Sequence, residues 1–579
     1  MPSPANVLTD RLQRGLGAAF GPEHAATDPV LRPSQFADFQ ANVALALAKR
    51  LGLAPRAVAE ALVEHLDVAD MCLAPAVSGP GFVNLTLRDD WLAARTTVLA
   101  DDPRLGVPVE EPQVVPVDYS APNVAKEMHV GHLRTTVVGD ALARTLEHLG
   151  HRVVRQNHIG DWGTPFGMLI EHLLDVGEDS EEAKLLTSDP NAFYQGARAE
   201  FDADAGPSGA GFADRARRRV VALQARDPET LRLWQELIDL STAYFNSIYS
   251  ALDVTLTDAD LAGESTYNDE LPGICEELEA AGIATMSEGA LCVFLDGHTG
   301  REGRPVPLII RKSDGGYGYA TTDLATIRHR VRDLHADRIL YVIGAPQHLH
   351  LQMVFETARK AGWLPDGVEV VHVRIGNVLG SDGKILKTRS GAPVRLRALL
   401  DEAVERAATL LAETRPEIRE AERALIAHQV GIGAVKYADL SVAHDSEYTF
   451  DLDRMVSQVG NTGPYLQYAA ARIRSILRRA GSVPDAPVLQ TEDAERELML
   501  ALLGFGDMVA AVGSALEPHR LCTYLFDLAQ TFTTFYDQCP VLRAPEPEVR
   551  DSRLRLCAVT LAVLEQGLAL LGIATPERM

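Results

Sequence analysis

Two histidines three residues apart, His129 and His132 in the string HVGH, stand where a run of β-forming residues gives way to a helical pattern. At such a junction the first helical N–H groups lack intrahelical partners, and the helix dipole favours an anion beside them. Imidazoles at this spacing share one side of a first turn and can hydrogen-bond a phosphate whose charge grows in a transition state. Gly131 between them lets a flat base or a ribose approach the backbone. A metal pair is the other chemistry open to two such histidines, but no third ligand stands nearby. A second segment, GNVLGSDGKILKTRSGAPVRL at 376–396, sets Lys384, Lys387, Arg389 and Arg395 in a glycine-rich stretch with a single acid, Asp382. A loop of that composition can close on a polyphosphate, and it lacks the GxxxxGK[ST] spacing of a Walker-type site. Taken alone, it reads equally as a solvated basic hairpin.

Both segments need a frame. VVPVDYS at 114–120, a helical stripe of Leu142, Leu146 and Leu149 ended by Gly150, and the run RVVRQNHIG form a βαβ unit. A second unit follows at 337–345, a helix through HLQMVFETARKAG, and 368–376. Two halves roughly two hundred residues apart predict an α/β fold, a doubly wound Rossmann-type parallel sheet carrying a long insertion. That insertion is helical over 201–252, and its basic run RARRR at 215–219 is a solvated helix face or an RNA contact. Before the sheet lies an α+β unit, with a helix over 36–52, another over 56–66 and an alternating strand in 79–87. After residue 396 the pattern is helical to the end.

The composition limits the possible functions. A chain of 579 residues holds three or four domains, which excludes a small binding module. The six cysteines form no CxxC pair and read as buried thiols. No run of about 18 apolar residues and no apolar leader occurs, so a soluble, cytoplasmic protein without a membrane partner is expected. The net charge of −25 would argue against a nucleic-acid partner if it were spread evenly. It is not: 454–484 holds five arginines and no Asp or Glu. There Leu466, Ala470, Ile473 and Leu477 make one apolar stripe, with Tyr465, Tyr468, Arg472 and Arg479 on an adjacent face. Aromatic and guanidinium groups on one face can stack on unpaired bases and neutralise phosphates. Alternatively, the tyrosines complete a core and the arginines face water.

HVGH after a strand, followed by a second βαβ half and a basic ILKTRSG loop, resembles the HIGH and KMSKS signatures of class I aminoacyl-tRNA synthetases. The strings DYSAPNVAKEMHVGHLR, NHIGDWGTPFGMLI, KSDGGYGYATTDLATIRHR, YVIGAPQHLH, LKTRSG, NTGPYLQYAAARIRSIL and GIATPERM, in this order, resemble arginyl-tRNA synthetases over nearly the whole chain. The resemblance implies activation of arginine with ATP and transfer to the terminal adenosine of tRNA(Arg), first to its 2′-hydroxyl, with tRNA needed even for the first step. It implies an N-terminal tRNA-binding domain (1–108), a catalytic domain (109–396) with its insertion at about 165–300, a helical connector (397–450) and an all-α anticodon-binding domain (451–579). Catalysis falls to His129, His132, Lys126 and Lys387, and ATP, accompanied by Mg²⁺, to His129, Gly131, His132, Lys387, Arg389 and Ser390. No metal-ligand set belongs to the chain itself. The family loop usually has a second lysine where this chain has Ser390, and Lys126 is the expected replacement, because the transition state needs a cation near the phosphates rather than a particular loop.

Selecting arginine over lysine needs a planar carboxylate partner for the guanidinium fork, and a site of that kind needs no editing domain. The resemblance places Asp118, Ser120, Asn123, His129, Tyr319, Asp323 and Gln347 at the arginine, with Asp118 and Asp323 as the guanidinium partners. It assigns the helical face of Tyr465, Tyr468, Arg472 and Arg479 to tRNA, and it implies a monomer. A nucleotidyltransferase acting on a small metabolite would not need that basic aromatic face. A non-catalytic RNA-binding relative would not need to keep His129, His132, Lys126 and Asp323 together.

Overall fold

Val114–Asp118 (β1) is buried along nearly its whole length, as expected of a strand covered on both faces. In the computed structural model, which describes residues 2–203, 211–299, 305–313, 315–387 and 394–579, β1 lies inside a parallel sheet with Arg152–Gln156 (β2), Arg338–Gly344 (β3) and Glu369–Ile375 (β4). The spatial order is β4-β3-β1-β2, every pair parallel, with Tyr341 opposite Asp118. Val130–Leu149 (α1) joins β1 to β2, while His348–Lys360 joins β3 to β4. The chain therefore winds away in opposite directions from β1 and β3. Their carboxyl ends diverge and open the crevice where such sheets bind ligands.

The insertion between β2 and β3 contains the helix Pro228–Leu252 (α2), which packs back on the segment after β1. It ends in an antiparallel three-stranded sheet of Ala284–Ser287, Ala290–Thr299 and Pro305–Arg311. The basic run at 215–219 belongs to a helix, Phe212–Gln224. Arg215 and Arg219 both donate to Glu171, and Arg217 to Asp214. Arg215 and Arg219 thereby tie this helix to the one that bears Glu171, while the Arg217 pair lies within the helix on its exposed face. After the insertion, Tyr319–Arg332 (α3) leads into β3, and His348–Lys360 is α4.

The N-terminal unit corrects one expectation. The helix expected over 36–52 is confined to Val43–Leu51, and Phe39–Ala41 is a strand paired with Leu31–Pro33 and with Phe82–Leu85. Cross-strand pairing there overrides a helix-like apolar spacing. Asp38, just before that strand, receives two hydrogen bonds at 2.7 Å from Arg496, which ties this unit to the C-terminal helices.

Among the C-terminal helices, Glu420–Leu440 (α5) and Gly463–Ala480 (α6) matter most for the site. One described stretch, Asp493–Ala515, is apolar and long enough to cross a membrane. It folds as two helices, Asp493–Leu503 and Phe505–Ala515, whose Leu498, Leu502, Phe505, Val509 and Val512 are fully buried in the core.

Candidate active site

An open cleft of about 490 Å³ lies at the carboxyl ends of β1 and β3. His129, Gly131, His132, Gln347 and Lys387 are among its lining residues. His129 is the N-cap of α1. Its Nδ1 accepts the Gly131 amide at 3.1 Å, and the His129 amide donates to Nδ1 of His132 at 3.1 Å. The ring centroids are 4.0 Å apart. An Nδ1 that accepts from an amide carries a lone pair, so each neutral ring holds its proton on Nε2. Burial keeps the rings neutral, with Lys126 adding to the effect at His129. His132 is pushed down to about 3 by burial and by the nearby His129.

This arrangement revises the idea that free helix N–H groups meet the ligand. The amides of His129 and Gly131 go to imidazoles, that of Val130 goes to the Val394 carbonyl, and that of His132 goes to the His129 carbonyl. The helix start presents two Nε2–H donors instead. Gly131 serves this geometry directly, since a Cβ there would lie 2.8 Å from Cε1 of His129.

The loop from β1 to α1 bends through three non-glycine residues of positive φ, Ser120, Ala121 and Ala125. Helix α2 holds it: Tyr249 shares a 2.8 Å hydrogen bond with Ser120, Ser241 accepts the Ala125 amide at 2.9 Å, and Tyr244 accepts the Met128 amide at 3.2 Å. Ser120 also accepts from Thr136 at 2.9 Å. Its hydroxyl thus braces the loop, and Ser120 also lines the cleft. Lys126 places its ammonium 4.2 Å from the ring centroid of Tyr194.

At the other side of the crevice the structure separates the two carboxylates expected at the guanidinium. Asp118 is buried, and its Oδ2 accepts from Nη2 of the fully buried Arg330 at 2.7 Å. The Arg330 guanidinium in turn lies over the Tyr341 ring. The internal guanidinium thus engages one oxygen of Asp118, while its buried Oδ1 has no partner among the described residues. The strand register sets Asp118 beside Tyr341. Asp323, in the second turn of α3, stays partly exposed, with Oδ2 2.6 Å from Nε2 of His350.

Two acids that the motif reading missed lie near Asp323. Asp161 accepts both the amide and the hydroxyl of Ser265 at 2.8 and 2.6 Å. Glu264 accepts no side-chain hydrogen bond among the described residues, and burial, then the charges of Asp161 and Asp323, push it up to about 8. Tyr319 is 72% exposed and close enough to Glu264 to feel its charge. Asn123 bridges to Gly160, next to Asp161. Among the described residues no Lys or Arg pairs with these three acids, and His350 is the one basic side chain hydrogen-bonded to them. Glu264 has no periodic signal in the sequence, and Asp161 stood in NHIGDWGTPFGMLI without a role. His350 stood in YVIGAPQHLH without a role.

Lys387 is exposed at the cleft rim. Arg389 and Ser390 lie outside the described residues. About the C-terminal helices, Tyr468, Arg472, Arg479 and Tyr536 line a groove of about 400 Å³ that Arg415 and Arg578 also enter. Arg472 stacks 4.5 Å from the Tyr536 ring centroid. Tyr465 is half-buried against Phe526, with centroids 5.4 Å apart, and does not line the groove. Its ring packs partly buried against the core, apart from the other three.

Three family models match this chain: "tRNA synthetases class I (R), catalytic domain" over 95–452, "DALR anticodon binding domain" over 466–579 and "Arginyl tRNA synthetase N terminal domain" over 6–87. The arginine–tRNA ligase of Thermobifida fusca is 70% identical over 100% of both chains, and that of Frankia casuarinae 54% over 96% of each. Among solved structures, the arginyl-tRNA synthetase of Plasmodium falciparum is similar with a TM-score of 0.85 and 28% identity, covering 100% of both chains. That of Thermus thermophilus gives a TM-score of 0.80 and 26% identity over 99% of this chain and 100% of its own. With its sheet, its crevice and all three family models in agreement along its length, the chain belongs to the arginyl-tRNA synthetases of class I.

Proposed function

We propose that the crevice between β1 and β3 holds ATP and arginine end to end, with the α-phosphate at His129 and His132 and the guanidinium at Asp323 and Glu264. The observation that supports this reading is an asymmetry. Neutral Nε2–H donors stand on one side, and on the other stand Asp161, Glu264 and Asp323, which form no ion pair with Lys or Arg among the described residues. The arginine carboxylate attacks the α-phosphorus of ATP, which enters as its Mg²⁺ complex. The bond to the bridging oxygen breaks and pyrophosphate leaves. Imidazole N–H groups aimed at the phosphate oxygens stabilise the charge that develops there, without reorganising at the moment of reaction. Lys126 moves from the Tyr194 ring to the phosphates and supplies the cation that Ser390 cannot. Lys387, Gly131 and the segment bearing Arg389 and Ser390 enclose the nucleotide.

A hydroxyl of the terminal adenosine, the 2′-hydroxyl first, then attacks the arginyl carbonyl, and AMP leaves. Tyr319, Asn123 and Gln347 complete the amino-acid site around Asp323 and Glu264. A guanidinium fork satisfies both acids, whereas an ammonium leaves part of this polar surface unpaired. The groove of Tyr468, Arg472 and Arg479 takes the anticodon loop, the N-terminal unit reaches elsewhere on the tRNA, and bound tRNA is required for the first step. The enzyme works as a cytoplasmic monomer. Pyrophosphate exchange into ATP with arginine or lysine, each with and without tRNA, tests this reading. Exchange with arginine and tRNA alone is the expected result, and exchange at full rate without tRNA overturns the coupling.

A further inference from the structure

We propose that His350 is a positioning residue of the amino-acid site, holding Asp323 in the one orientation that meets a planar guanidinium. The proposal rests on the reading of Asp323 as a guanidinium partner and adds what makes that carboxylate selective. Asp323 projects from α3 and His350 from the first turn of α4, so the 2.6 Å contact between Oδ2 and Nε2 joins two separate elements across the site. Gln347, three residues before His350, lines the cleft, so the start of α4 faces both substrate and carboxylate. The side chains of His350 and Asp323 are 29% and 20% exposed, enough for a substrate to reach the acid and too little for water to replace the contact freely.

A carboxylate on a helix surface can turn about two side-chain bonds, and a flexible ammonium can follow it. A fork of fixed geometry cannot follow, so binding it costs the entropy of immobilising the acid unless that has been done beforehand. With Oδ2 held, Oδ1 remains as a placed acceptor. At 2.6 Å the contact is short for a nitrogen–oxygen hydrogen bond, in the sense expected when the acceptor is ionised. In keeping with it, the Asp323 carboxylate raises the affinity of His350 for its proton. The contact occupies Oδ2 of Asp323 and leaves its Oδ1, with Glu264, to meet the guanidinium. His348, on the same helix, turns away to His372 at 3.1 Å and takes no part.

Steady-state aminoacylation by the full-length enzyme tests the proposal with four variants: His350→Ala, His350→Gln, Asp323→Asn and the double variant Asp323→Asn/His350→Ala. His350→Ala is expected to raise KM for arginine about tenfold, the effect of losing one hydrogen bond to a charged group, with kcat and KM for ATP within about twofold. His350→Gln keeps a donor that can reach Oδ2 and restores most of the arginine affinity, so it also carries the test should the alanine variant fold poorly. The double variant binds arginine no worse than Asp323→Asn, because His350 acts only through that acid. Asp323→Asn raising KM while His350→Ala does not overturns the proposal. So does a His350→Ala defect spread equally over arginine, ATP and kcat, or one additive with Asp323→Asn. Asp323→Asn with unchanged KM for arginine overturns instead the reading on which the proposal stands.

Discussion

Arg134, one turn into the helix that bears both signature imidazoles, donates to Asp439 of α5 at 2.5 Å, with both side chains buried. Nη1 of the same guanidinium donates to the Ser446 carbonyl at 2.6 Å. Along α5 the Gln429 carbonyl accepts from Gln467 of α6 at 2.9 Å. Helix α5 therefore lies between the helix that starts at the cleft and the helix that lines the basic groove. Replacing Asp439 by Ala strands a buried guanidinium, a loss of about 3–5 kcal/mol. A lowered melting temperature, together with a fall in kcat as α1 shifts, is the expected result.

The imidazoles of His129 and His132 act as neutral donors. Because burial pushes His132 down to about 3 and holds His129 below its ordinary value, neither should titrate in the kcat profile above pH 7. Nitrogen NMR of the two rings should show the proton on Nε2. Alanine at either position should lower kcat for adenylate formation by about 10²–10³, the cost of removing one such donor, while KM for arginine changes little. An imidazolium signal at neutral pH would contradict the assignment.

Glu264 gives arginine binding a pH dependence of defined sign. In the free enzyme it is pushed up to about 8, so at pH 7 it is mostly protonated. A guanidinium favours the carboxylate, so affinity rises with pH until it levels off above 8, and binding at pH 7 releases a proton. Calorimetry in buffers of different ionisation enthalpy reads that proton directly. Glu264→Gln should abolish it and raise KM for arginine roughly 100-fold, as for truncation of a buried charge partner.

Gly131→Ala separates stability from catalysis. Alanine favours the helix by about 1 kcal/mol over glycine, but its Cβ would stand 2.8 Å from Cε1 of His129. The ring can rotate aside, so the melting temperature should hold. Loss of its placed donor should lower kcat at least about tenfold, since misplacing a reacting group by a fraction of its van der Waals radius is costly.

Within α6, neighbouring residues should behave in opposite ways. Tyr468→Ala and Arg472→Ala should raise KM for tRNA roughly tenfold, the worth of a lost stacking partner, and leave KM for arginine unchanged. Tyr465→Ala should lower the melting temperature instead, because its ring packs on Phe526. A tRNA-specific defect in Tyr465→Ala would return that residue to the groove.

Local sequence pattern is enough to predict the parallel sheet and the strand-to-helix junction that bears His129 and His132. Strand-forming runs, helical stripes and the HVGH string act over short spans of chain, where periodicity and local caps decide the conformation. For that reason β1, α1 and β2, and later β3, α4 and β4, were legible before any fold was known. Tyr468 and Arg472 were legible for the same reason, as one face of one helix.

What depended on contacts between distant segments required the tertiary structure. Asp118 and Asp323 look alike as acids beside motifs, yet a buried Arg330, 212 positions away, occupies one and leaves the other to His350. Glu264 comes from a stretch without pattern and Asp161 from the string NHIGDWGTPFGMLI, which by itself gave it no role, and the two meet only when the chain returns to the crevice. The fate of the helix-start amides was likewise undecidable, because it turns on how two imidazoles fold back on the backbone that carries them. Periodicity reports which face of an element is apolar; it carries no information about which charged group will be opposite, and the chemistry of this site is set by that pairing.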